Sequence, residues 1–438
     1  MIDISILKAS EIAGIINGEL YGEDVEINKI SIDSRENLDK NTCFWGIKGK
    51  KFDGNEFTIE AENKRAGLIV SNKRTIEGSH IYVRDTKIAL ELLAKSRIKN
   101  TKIVALTGSV GKTTVKNMII SVLSQKYTTC GTQGNQNNEI GVLLTLLKIK
   151  NEDFCVVEMG MRNRGEIDYL ASVAKPETVI ITNALTSHIE RLKSKNNIFL
   201  AKCEILNYSP KNAILPFEKR FVNLNIDNVN LYYVGENSSC RIGDFRQNNN
   251  EIIYEIIDKE NKKIMKIYSL FLHNIQNSLF AYKVGRIYGL TDEEIREGLL
   301  NYKQDKYREE YKRIDGITII NDSYNASYES MASALCSLKK YCIQTNKTPC
   351  ALLGDILELG RCSQEIHEKI ARLCKELGIK KLFYKGENYK IFNKYLENTI
   401  LIDASRESFR YIKQYLNSDD VLLVKGSRNM NLEKILVN

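Results

Sequence analysis

Short apolar runs alternate with longer segments of helical apolar spacing from about residue 99 to residue 300, and a second series begins near residue 309. The short runs predict buried strands, and apolar residues that recur every three or four positions predict helices. Strands that alternate with helices indicate a parallel, doubly wound sheet, which places its ligands at the carboxyl ends of its strands. The pattern therefore predicts an α/β protein whose functional residues lie just after its strands.

The individual elements follow from this pattern. Predicted strands occupy residues 27–33, 42–47, 66–71, 101–106, 154–157, 178–182, 317–321, 351–353, 381–384, 399–402 and 421–424. Predicted helices occupy residues 4–16, 112–123 and 273–288, and residues 211–268 are β-like. A chain of 438 residues is too long for one ordinary core, so its length predicts two to three domains.

A strand, a glycine turn and a helix follow one another at residues 101–123. The turn reads TGSVGKTT at 107–114, and its backbone N–H groups and the helix N-terminus would face a polyphosphate. Lys112 can reach the terminal phosphates, and the Thr113 hydroxyl can bind Mg²⁺. The strict G-x-x-x-x-G-K-[ST] pattern fails at Leu106, which indicates a shorter form of the loop. The alternative is an ordinary glycine turn before a helix that carries a lysine.

Polar residues follow two later strands. Glu158 comes directly after the apolar run 154–157, at a position where a carboxylate beside a phosphate loop usually holds Mg²⁺. A lone histidine is more often structural, but His188 lies one loop beyond the strand 178–182, which favours a ligand role. Asn138, in an Asn-rich segment, can orient a substrate or nucleotide, or simply form a turn.

Other polar residues are ambiguous from the sequence alone. Ser34, Arg35 and Lys48 follow predicted strands and could hold an anionic ligand, although they suit an ordinary surface equally well. Lys202 lies in a helical segment after His188, and nothing in its spacing marks it as special. Residue spacing alone therefore does not decide whether these four residues bind a ligand or lie on an ordinary surface.

Composition excludes several classes of partner. The net charge is +9, from 64 Lys and Arg against 55 Asp and Glu, and the basic residues are scattered, so no nucleic-acid partner is expected. The ten cysteines form no C-x-x-C pair, and no disulfide framework is expected. Neither a secretion signal nor an apolar run of membrane-spanning length is found, so we expect a cytoplasmic protein that does not insert into membranes.

Nine motifs, in order along nearly the whole chain, resemble those of the Mur ligases, the ATP-dependent amide-forming enzymes of peptidoglycan precursor synthesis. They are TGSVGKTT (107–114), NNEIG (137–141), VVEMGMRNRGEI (156–167), TNALTSHIE (182–190), AKCEI (201–205), HNIQN (273–277), NDSYNAS (321–327), LLGDILELG (352–360) and LVKGSR (423–428). One such motif would be a weak signal, whereas nine in family order are specific. SIDSR (31–35) with FWGIKGKKFDGNEF (44–57), EMGMRNRGEI, and NDSYNAS with GDILELG resemble most the members that add D-alanyl-D-alanine to UDP-N-acetylmuramoyl-tripeptide.

The resemblance implies three domains. Residues 1–98 would bind the UDP substrate, residues 99–308 would form a central ATPase domain with a mostly parallel sheet, and residues 309–438 would form a Rossmann-like domain for the incoming dipeptide. The implied substrate-binding residues are Ser34, Arg35, Lys48 and Asn138. A monomer is expected, with small molecules as its partners.

The resemblance also implies ATP and Mg²⁺ as cofactors. Lys112 would neutralise the β- and γ-phosphates, and Thr113 and Glu158 would hold one Mg²⁺. His188 would help to hold a second Mg²⁺ together with a carbamate on Lys202, because carbamylation turns a cation into a bridging anion. Lys202, which its spacing does not distinguish, would therefore be a metal ligand.

Further nucleotide contacts are implied on both sides of the phosphate loop. Arg308 would approach the γ-phosphate, Asn277 would meet the adenine, Asp322 the ribose, and Asn325 would lie near the nucleotide. The implied phosphate-loop residues are Gly108, Ser109, Val110, Gly111, Lys112, Thr113 and Thr114. The implied catalytic residues are Lys112, Lys202, His188 and Arg308.

The chain departs from the family pattern in places, and alternatives remain open. YREEY around Arg308 lacks the usual methionine-arginine-methionine style, although no proposed charge or ligand is lost. The alternatives are a diverged Mur-type amide ligase with a related substrate, a folylpolyglutamate-type ligase, or a nucleotide-binding module without turnover. The N-terminal motifs argue against the second, and intact Lys112, Glu158, His188 and Lys202 argue against the third. The third residue of the tripeptide is left open.

Overall fold

The computed structural model describes residues 1–49, 52–74, 77–186, 189–403 and 408–436. Within these ranges the protein is a mixed α/β fold with several mostly parallel sheets, so the expected fold class is confirmed. Helix 112–123 was placed correctly by its apolar spacing, and the strand before it runs from Lys102 to Thr107.

The N-terminal region forms a six-stranded sheet with three helices in its described part. Its elements are β1 (Ile2–Lys8), α1 (Ala9–Ile16), β2 (Glu19–Tyr21), β3 (Glu26–Ser31), β4 (Thr42–Trp45), α2 (Thr58–Asn63), β5 (Leu68–Ser71), β6 (His80–Tyr82) and α3 (Thr86–Arg97). The strand order is β1-β3-β4-β5-β6-β2. The four central strands are parallel, and the two edge strands run antiparallel to their neighbours.

The helix predicted for residues 4–16 is wrong in its first half. Residues Ile2 and Ile4 are buried between more exposed neighbours, and this period-two pattern lets β1 pair with β3. The helix begins only at Ala9, where the Lys8 N–H donates to Glu11 Oε2 over 2.8 Å. Pairing with a strand distant in sequence overrides the local helical spacing.

The middle of the chain alternates strands and helices before a run of antiparallel strands. Its elements are β7 (Lys102–Thr107), α4 (Lys112–Leu123), β8 (Thr129–Gly131), α5 (Glu139–Leu147), β9 (Phe154–Glu158), α6 (Glu166–Ala174), β10 (Thr178–Ile181), α7 (Ile189–Leu192), α8 (Lys195–Cys203), β11 (Asn212–Pro216), α9 (Lys219–Val222), β12 (Asn230–Val234), β13 (Cys240–Asn248), β14 (Glu251–Asp258), β15 (Asn261–Tyr268), α10 (His273–Ile287) and α11 (Asp292–Asn301). Strands β8 and β9 are parallel, as are β10 to β13, whereas β13 to β15 are antiparallel.

The C-terminal region is a second α/β sheet. Its elements are β16 (Glu310–Ile314), β17 (Ile317–Asn321), α12 (Tyr328–Thr345), β18 (Thr348–Gly354), α13 (Ser363–Glu376), β19 (Lys381–Lys385), α14 (Tyr389–Tyr395), β20 (Ile400–Leu401), α15 (Phe409–Lys413) and β21 (Asp420–Lys425). The order is β16-β17-β21-β18-β19-β20, with only the edge strand β16 antiparallel. Leu353 and Leu423 belong to one apolar core and Leu352 and Leu422 to another, as expected when helices cover both faces of a sheet.

Two compact units emerge from the contacts within the chain. The first contains residues Met1–Ala105, Tyr127–Met159 and Asp168–Glu177, and the second contains Leu106–Lys126, Gly160–Ile167 and Thr178–Asn438. The three predicted domain boundaries stay predictions. None of the helices in the described ranges is long and apolar enough to cross a membrane.

Replacing one core isoleucine of the C-terminal region should destabilise the protein, and replacing an exposed one should not. Ile370 on α13 is fully buried, so Ile370→Ala should lower the free energy of unfolding by about 2–5 kcal/mol. Ile343 on α12 is 68% exposed, and Ile343→Ala should change the free energy of unfolding by less than about 0.5 kcal/mol. Urea denaturation followed by circular dichroism measures both, and equal effects would contradict the core assignment.

Candidate functional site

The phosphate loop lies between β7 and α4 in the second unit, and two of its positions require glycine. A Cβ atom on Gly108 would lie 1.9 Å from Thr182 Oγ1, far inside van der Waals contact. Gly111 has a φ of +81°, and its Cβ would lie 2.8 Å from Asn277 Oδ1. The loop therefore packs closely against the residue that follows β10 and against the N-terminal part of α10.

The side chain of Asn183 holds the backbone of this loop. Its Oδ1 accepts the N–H groups of Ser109 and Val110 at 3.0 Å each, and its Nδ2 donates to the Val110 carbonyl at 3.0 Å. Thr182 Oγ1 donates to the same carbonyl at 2.7 Å. Sequence reasoning did not assign Asn183 to the site, although an asparagine directly after a strand was an available signal.

Lys112 and Lys202 both belong to this part of the second unit. Lys112 Nζ donates to the carbonyl oxygens of Gly108, at 2.8 Å, and of Ser109, at 3.4 Å, so the ammonium folds over the loop. Lys202 is 1% exposed at the end of α8. Burial, and then the positive charge of Lys112, hold the pKa of Lys202 well below its usual range. Its amine is therefore more readily neutral, which is the form that reacts with CO₂.

Arg308 reaches the loop from the segment before β16. Its Nη2 donates to Thr113 Oγ1 over 3.0 Å, although 195 positions separate the two residues. Its guanidinium carbon lies 4.0 Å from the centroid of the Tyr324 ring, and its Nε is buried with no hydrogen-bond partner in the described part of the chain. The structure thus brings Arg308 to the phosphate loop, and its contact with the γ-phosphate stays a prediction. Thr114 is half-buried in the first turn of α4.

Asp322 and Asn325 lie together at the carboxyl ends of β17 and β21. Lys425 Nζ forms an ion pair with Asp322 and donates to the Asn325 carbonyl at 3.1 Å. The Asn325 side chain accepts the Ala326 N–H at 2.9 Å. Lys425 is 2% exposed and was not among the predicted site residues, because only the fold brings the two strands side by side.

In the first unit, Glu158 ends β9 with its side chain almost fully buried. Its Oε1 accepts a hydrogen bond from Asn137 Nδ2 at 2.8 Å, and its Oε2 is buried with no hydrogen-bond partner in the described ranges. A buried carboxylate oxygen without a donor suits a cation ligand. Asn138, which was predicted to bind substrate, caps α5 by accepting the Gly141 N–H at 2.9 Å.

His188 lies outside the described residues, so its predicted ligand role stays a prediction. Among the residues that the structure describes, no group of three or more histidine, cysteine, aspartate or glutamate side chains forms a candidate metal site. A cation site would therefore also need ligands of another kind, such as a hydroxyl or a carbamate, or residues outside the described ranges.

Three residues predicted to bind substrate in the N-terminal region, two of them at its UDP end, have different surroundings. Ser34 is buried, and its hydroxyl donates to Glu60 Oε2 at 3.1 Å. Arg35 is 84% exposed and makes a two-point ion pair with Asp33, which lowers the pKa of that carboxyl to about 2. Lys48 is exposed, and its described backbone pairs with that of Asp53. No hydrogen bond described for this region joins Lys48 to the other two.

A methyl group on Gly108 should disrupt the loop. Gly108→Ala forces Cβ into Thr182 Oγ1 and should weaken nucleotide binding by at least about tenfold, because displaced backbone groups no longer meet the phosphates. The control is Gly14→Ala in α1, where nothing lies within 4 Å of the new methyl group. Calorimetric titration with a non-hydrolysable ATP analogue measures both variants. Unchanged affinity in Gly108→Ala would contradict the close packing.

Two family models match this chain. The Mur ligase middle domain matches residues 106–285, and the Mur ligase glutamate ligase domain matches residues 307–428. The first match includes the phosphate loop, Glu158 and Lys202, and the second includes Arg308.

Relatives and solved structures agree with these matches. The UDP-N-acetylmuramoyl-tripeptide–D-alanyl-D-alanine ligase of Bacillus subtilis is 31% identical, over 97% of this chain and 96% of its own. MurF from Acinetobacter baumannii superimposes with a TM-score of 0.90 at 26% identity, over 99% of both chains. MurF from Thermotoga maritima in complex with ADP superimposes with a TM-score of 0.81 at 25% identity, over 93% of this chain and 96% of the other. The chain therefore belongs to the Mur ligase family, whose members are ATP-dependent enzymes that form amide bonds.

Proposed function

We propose that this protein joins D-alanyl-D-alanine to the free carboxylate of UDP-N-acetylmuramoyl-tripeptide, by way of an acyl phosphate, in peptidoglycan precursor synthesis. The assignment rests on similarity over nearly the whole chain to a relative with that name. The structural observation that carries it is the contact of Arg308 with Thr113, which places two cations, Lys112 and Arg308, around one phosphate loop.

The reaction proceeds in two displacements. A carboxylate oxygen of the tripeptide attacks the γ-phosphorus of ATP, and ADP leaves with the electrons of the broken P–O bond. The amine of the dipeptide then attacks the carbonyl carbon of the acyl phosphate, loses a proton, and expels inorganic phosphate as the amide forms. Lys112 and Arg308 stabilise the charge that spreads over the transferring phosphoryl group, and no protein nucleophile is needed.

The nucleotide lies along the loop and the C-terminal segment in this proposal. Asn277 meets the adenine, Asp322 binds the ribose hydroxyls, and Asn325 lies nearby. Support comes from Asn277, which packs against Gly111, and from the common contact of Asp322 and Asn325 with one buried lysine. The proposed phosphate contacts are Gly108, Ser109, Val110, Gly111, Lys112, Thr113 and Thr114.

Mg²⁺ would neutralise phosphate charge when bound. We assign Thr113 and Glu158 to one ion, and His188 with a carbamate on Lys202 to a second. The buried Oε2 of Glu158, which has no hydrogen-bond partner among the described residues, supports the first assignment, and the lowered pKa of Lys202 supports the second.

The proposed substrate contacts are Ser34, Arg35, Lys48 and Asn138. Ser34 and Arg35 would lie at the UDP end of the substrate, Lys48 would hold an anionic part of it, and Asn138 would orient it. Residues 1–98, 99–308 and 309–438 would be the UDP-substrate, ATPase and dipeptide domains, in a monomeric enzyme.

A phosphate-release assay separates the candidate functions. With ATP and UDP-N-acetylmuramoyl-tripeptide, release that depends on added D-alanyl-D-alanine supports the proposal. Release that needs another dipeptide, or folate and glutamate, would indicate a ligase with a different acceptor. No release with any of these pairs would indicate a nucleotide-binding module.

Removing the loop lysine should abolish ligation. Lys112→Ala deletes a cation from the phosphate loop and should lower kcat by at least about a hundredfold. The control is Lys126→Ala, which removes an exposed lysine just after the same helix. Phosphate release measures both, and near-wild-type turnover in Lys112→Ala would refute the assignment.

Carbamylation of Lys202 can be detected directly. Because its pKa is lowered, the amine should react with CO₂, and protein equilibrated with ¹³C-bicarbonate should show a carbamate signal by NMR. Lys202→Ala should lose both this signal and ligation, whereas Lys195→Ala, at an exposed position on the same helix, should keep both. A wild-type enzyme that is active without the signal would contradict the assignment.

A further inference from the structure

The backbone on both sides of Arg308 has an unusual conformation. Tyr307 has a φ of +65° and Glu309 a φ of +49°, although neither is glycine. Non-glycine residues in this left-handed region are strained and persist only where their surroundings hold them. The Tyr307 carbonyl accepts the Tyr324 N–H at 3.0 Å, which fixes one side of the segment. The backbone conformation on the other side of Arg308 depends on Glu309.

The carboxylate of Glu309 is buried and fully engaged. Its side chain is 7% exposed. Its Oε2 accepts hydrogen bonds from Ser269 Oγ at 2.8 Å and Gln304 Nε2 at 3.1 Å, and its Oε1 accepts one from Asn274 Nδ2 at 2.6 Å. Hydrogen bonds to a charged acceptor are strong, so this residue ties the Arg308 segment to the end of β15 and the start of α10.

The same carboxylate determines which way two asparagines point. A carboxylate can only accept, so Asn274 must direct its NH₂ group at Glu309 and its Oδ1 away. That Oδ1 accepts a hydrogen bond from Asn277 Nδ2 at 2.9 Å, which leaves Asn277 Oδ1 facing Gly111 of the phosphate loop. Glu309 is therefore connected to the loop by a second route, independent of Arg308.

We propose that Glu309 is a positioning residue of the ATP site, which holds Arg308 against Thr113 and orients Asn277 beside Gly111. This inference rests on the proposed function, because it assumes that ATP binds along this loop. The hydrogen bonds described for the Glu309 carboxylate are to Ser269, Asn274 and Gln304, and none of these residues is part of the phosphate loop. It acts through the backbone of its neighbour and through Asn274.

Ionisation of Glu309 makes the pH dependence of ATP affinity a readout that a purely structural role would not change. Burial, and then the charge of Asp322, raise the pKa of Glu309 to about 7, against the three donors that lower it. The other titratable groups that face it are His273, whose Nε2 lies 3.7 Å from Oε1, and Tyr302. Below pH 7 the Glu309 carboxyl is protonated in the folded protein. Asn274 is then no longer required to direct its NH₂ group at Glu309.

The sign of the effect on stability follows from the direction of this shift. The folded pKa lies above the ordinary value of 4.5, so the folded state binds more protons than the unfolded state between these two pH values. The contribution of Glu309 to stability therefore falls as pH rises from 4.5 to 7 and is constant above. Glu309→Gln removes this dependence.

The test compares Glu309→Gln and Glu309→Met with the control Glu310→Gln. Glu310 is the next residue, and its described partners are Lys312 and Asn321. Glu309→Met should raise the Kd of a non-hydrolysable ATP analogue and the KM for ATP by about tenfold, the effect of losing one charge-assisted hydrogen bond. The KM for the dipeptide should change by less than about twofold, and the control should resemble the wild type.

Glu309→Gln keeps the shape and an acceptor oxygen, so its ATP affinity at pH 8 should fall between those of Glu309→Met and the wild type. Between pH 6 and pH 8 its ATP affinity and its Tm should vary less than those of the wild type. If Glu309→Met fails to fold, the glutamine variant still tests the proposal through these two pH profiles.

Two results would overturn the inference: ATP affinity unchanged in both variants, or wild-type pH profiles in Glu309→Gln. A variant with a lower Tm but unaltered ATP affinity would mean that Glu309 is only structural, and would also overturn it. Nucleotide binding is measured without the acceptor substrates. A wild-type protein that binds ATP but releases no phosphate would therefore count against the proposed function alone.

Discussion

The amide of Asn183 holds the phosphate loop from outside, and the rest of the site depends on that contact. Its Oδ1 accepts two backbone N–H groups of the loop and its Nδ2 donates to one loop carbonyl, so three hydrogen bonds fix the loop backbone. Gly108 can approach β10 only because it has no side chain. Lys112, at the start of α4, folds back over this loop by donating to the Gly108 and Ser109 carbonyls.

Residues far apart in sequence meet this loop because strand ends and helix starts converge on it. Asn277, in the N-terminal part of α10, lies against Gly111, and Arg308 reaches Thr113 from the segment before β16. Glu309 links these two approaches through one buried carboxylate. A single loop is thus held by an amide on one side and by a carboxylate network on the other. Such an arrangement suits phosphoryl transfer, where catalysis consists mainly of positioning and charge stabilisation.

Some predictions came directly from local patterns. The helix from Lys112, the buried strand before Glu158 and the alternation in the C-terminal region all follow from the apolar spacing, and the structure confirms them. The first half of the helix predicted at 4–16 is a strand, because its partner β3 is supplied by a later part of the chain. Asn183, Lys425 and Glu309 were missed for a similar reason. Their hydrogen-bond partners lie in other elements, and a position directly after a predicted strand, as for Asn183 and Lys425, was the one local signal.

The sequence by itself determined the family, the α/β class and the order of the chemistry-bearing motifs, because these depend on residue type and short-range spacing. Only the tertiary structure decided which side chains meet: Arg308 with Thr113, Lys425 with Asp322, and Glu309 with Asn274. It also decided that Lys202 is buried and therefore easily neutral. Burial and long-range hydrogen bonds are properties of packed elements, and a linear pattern does not contain them.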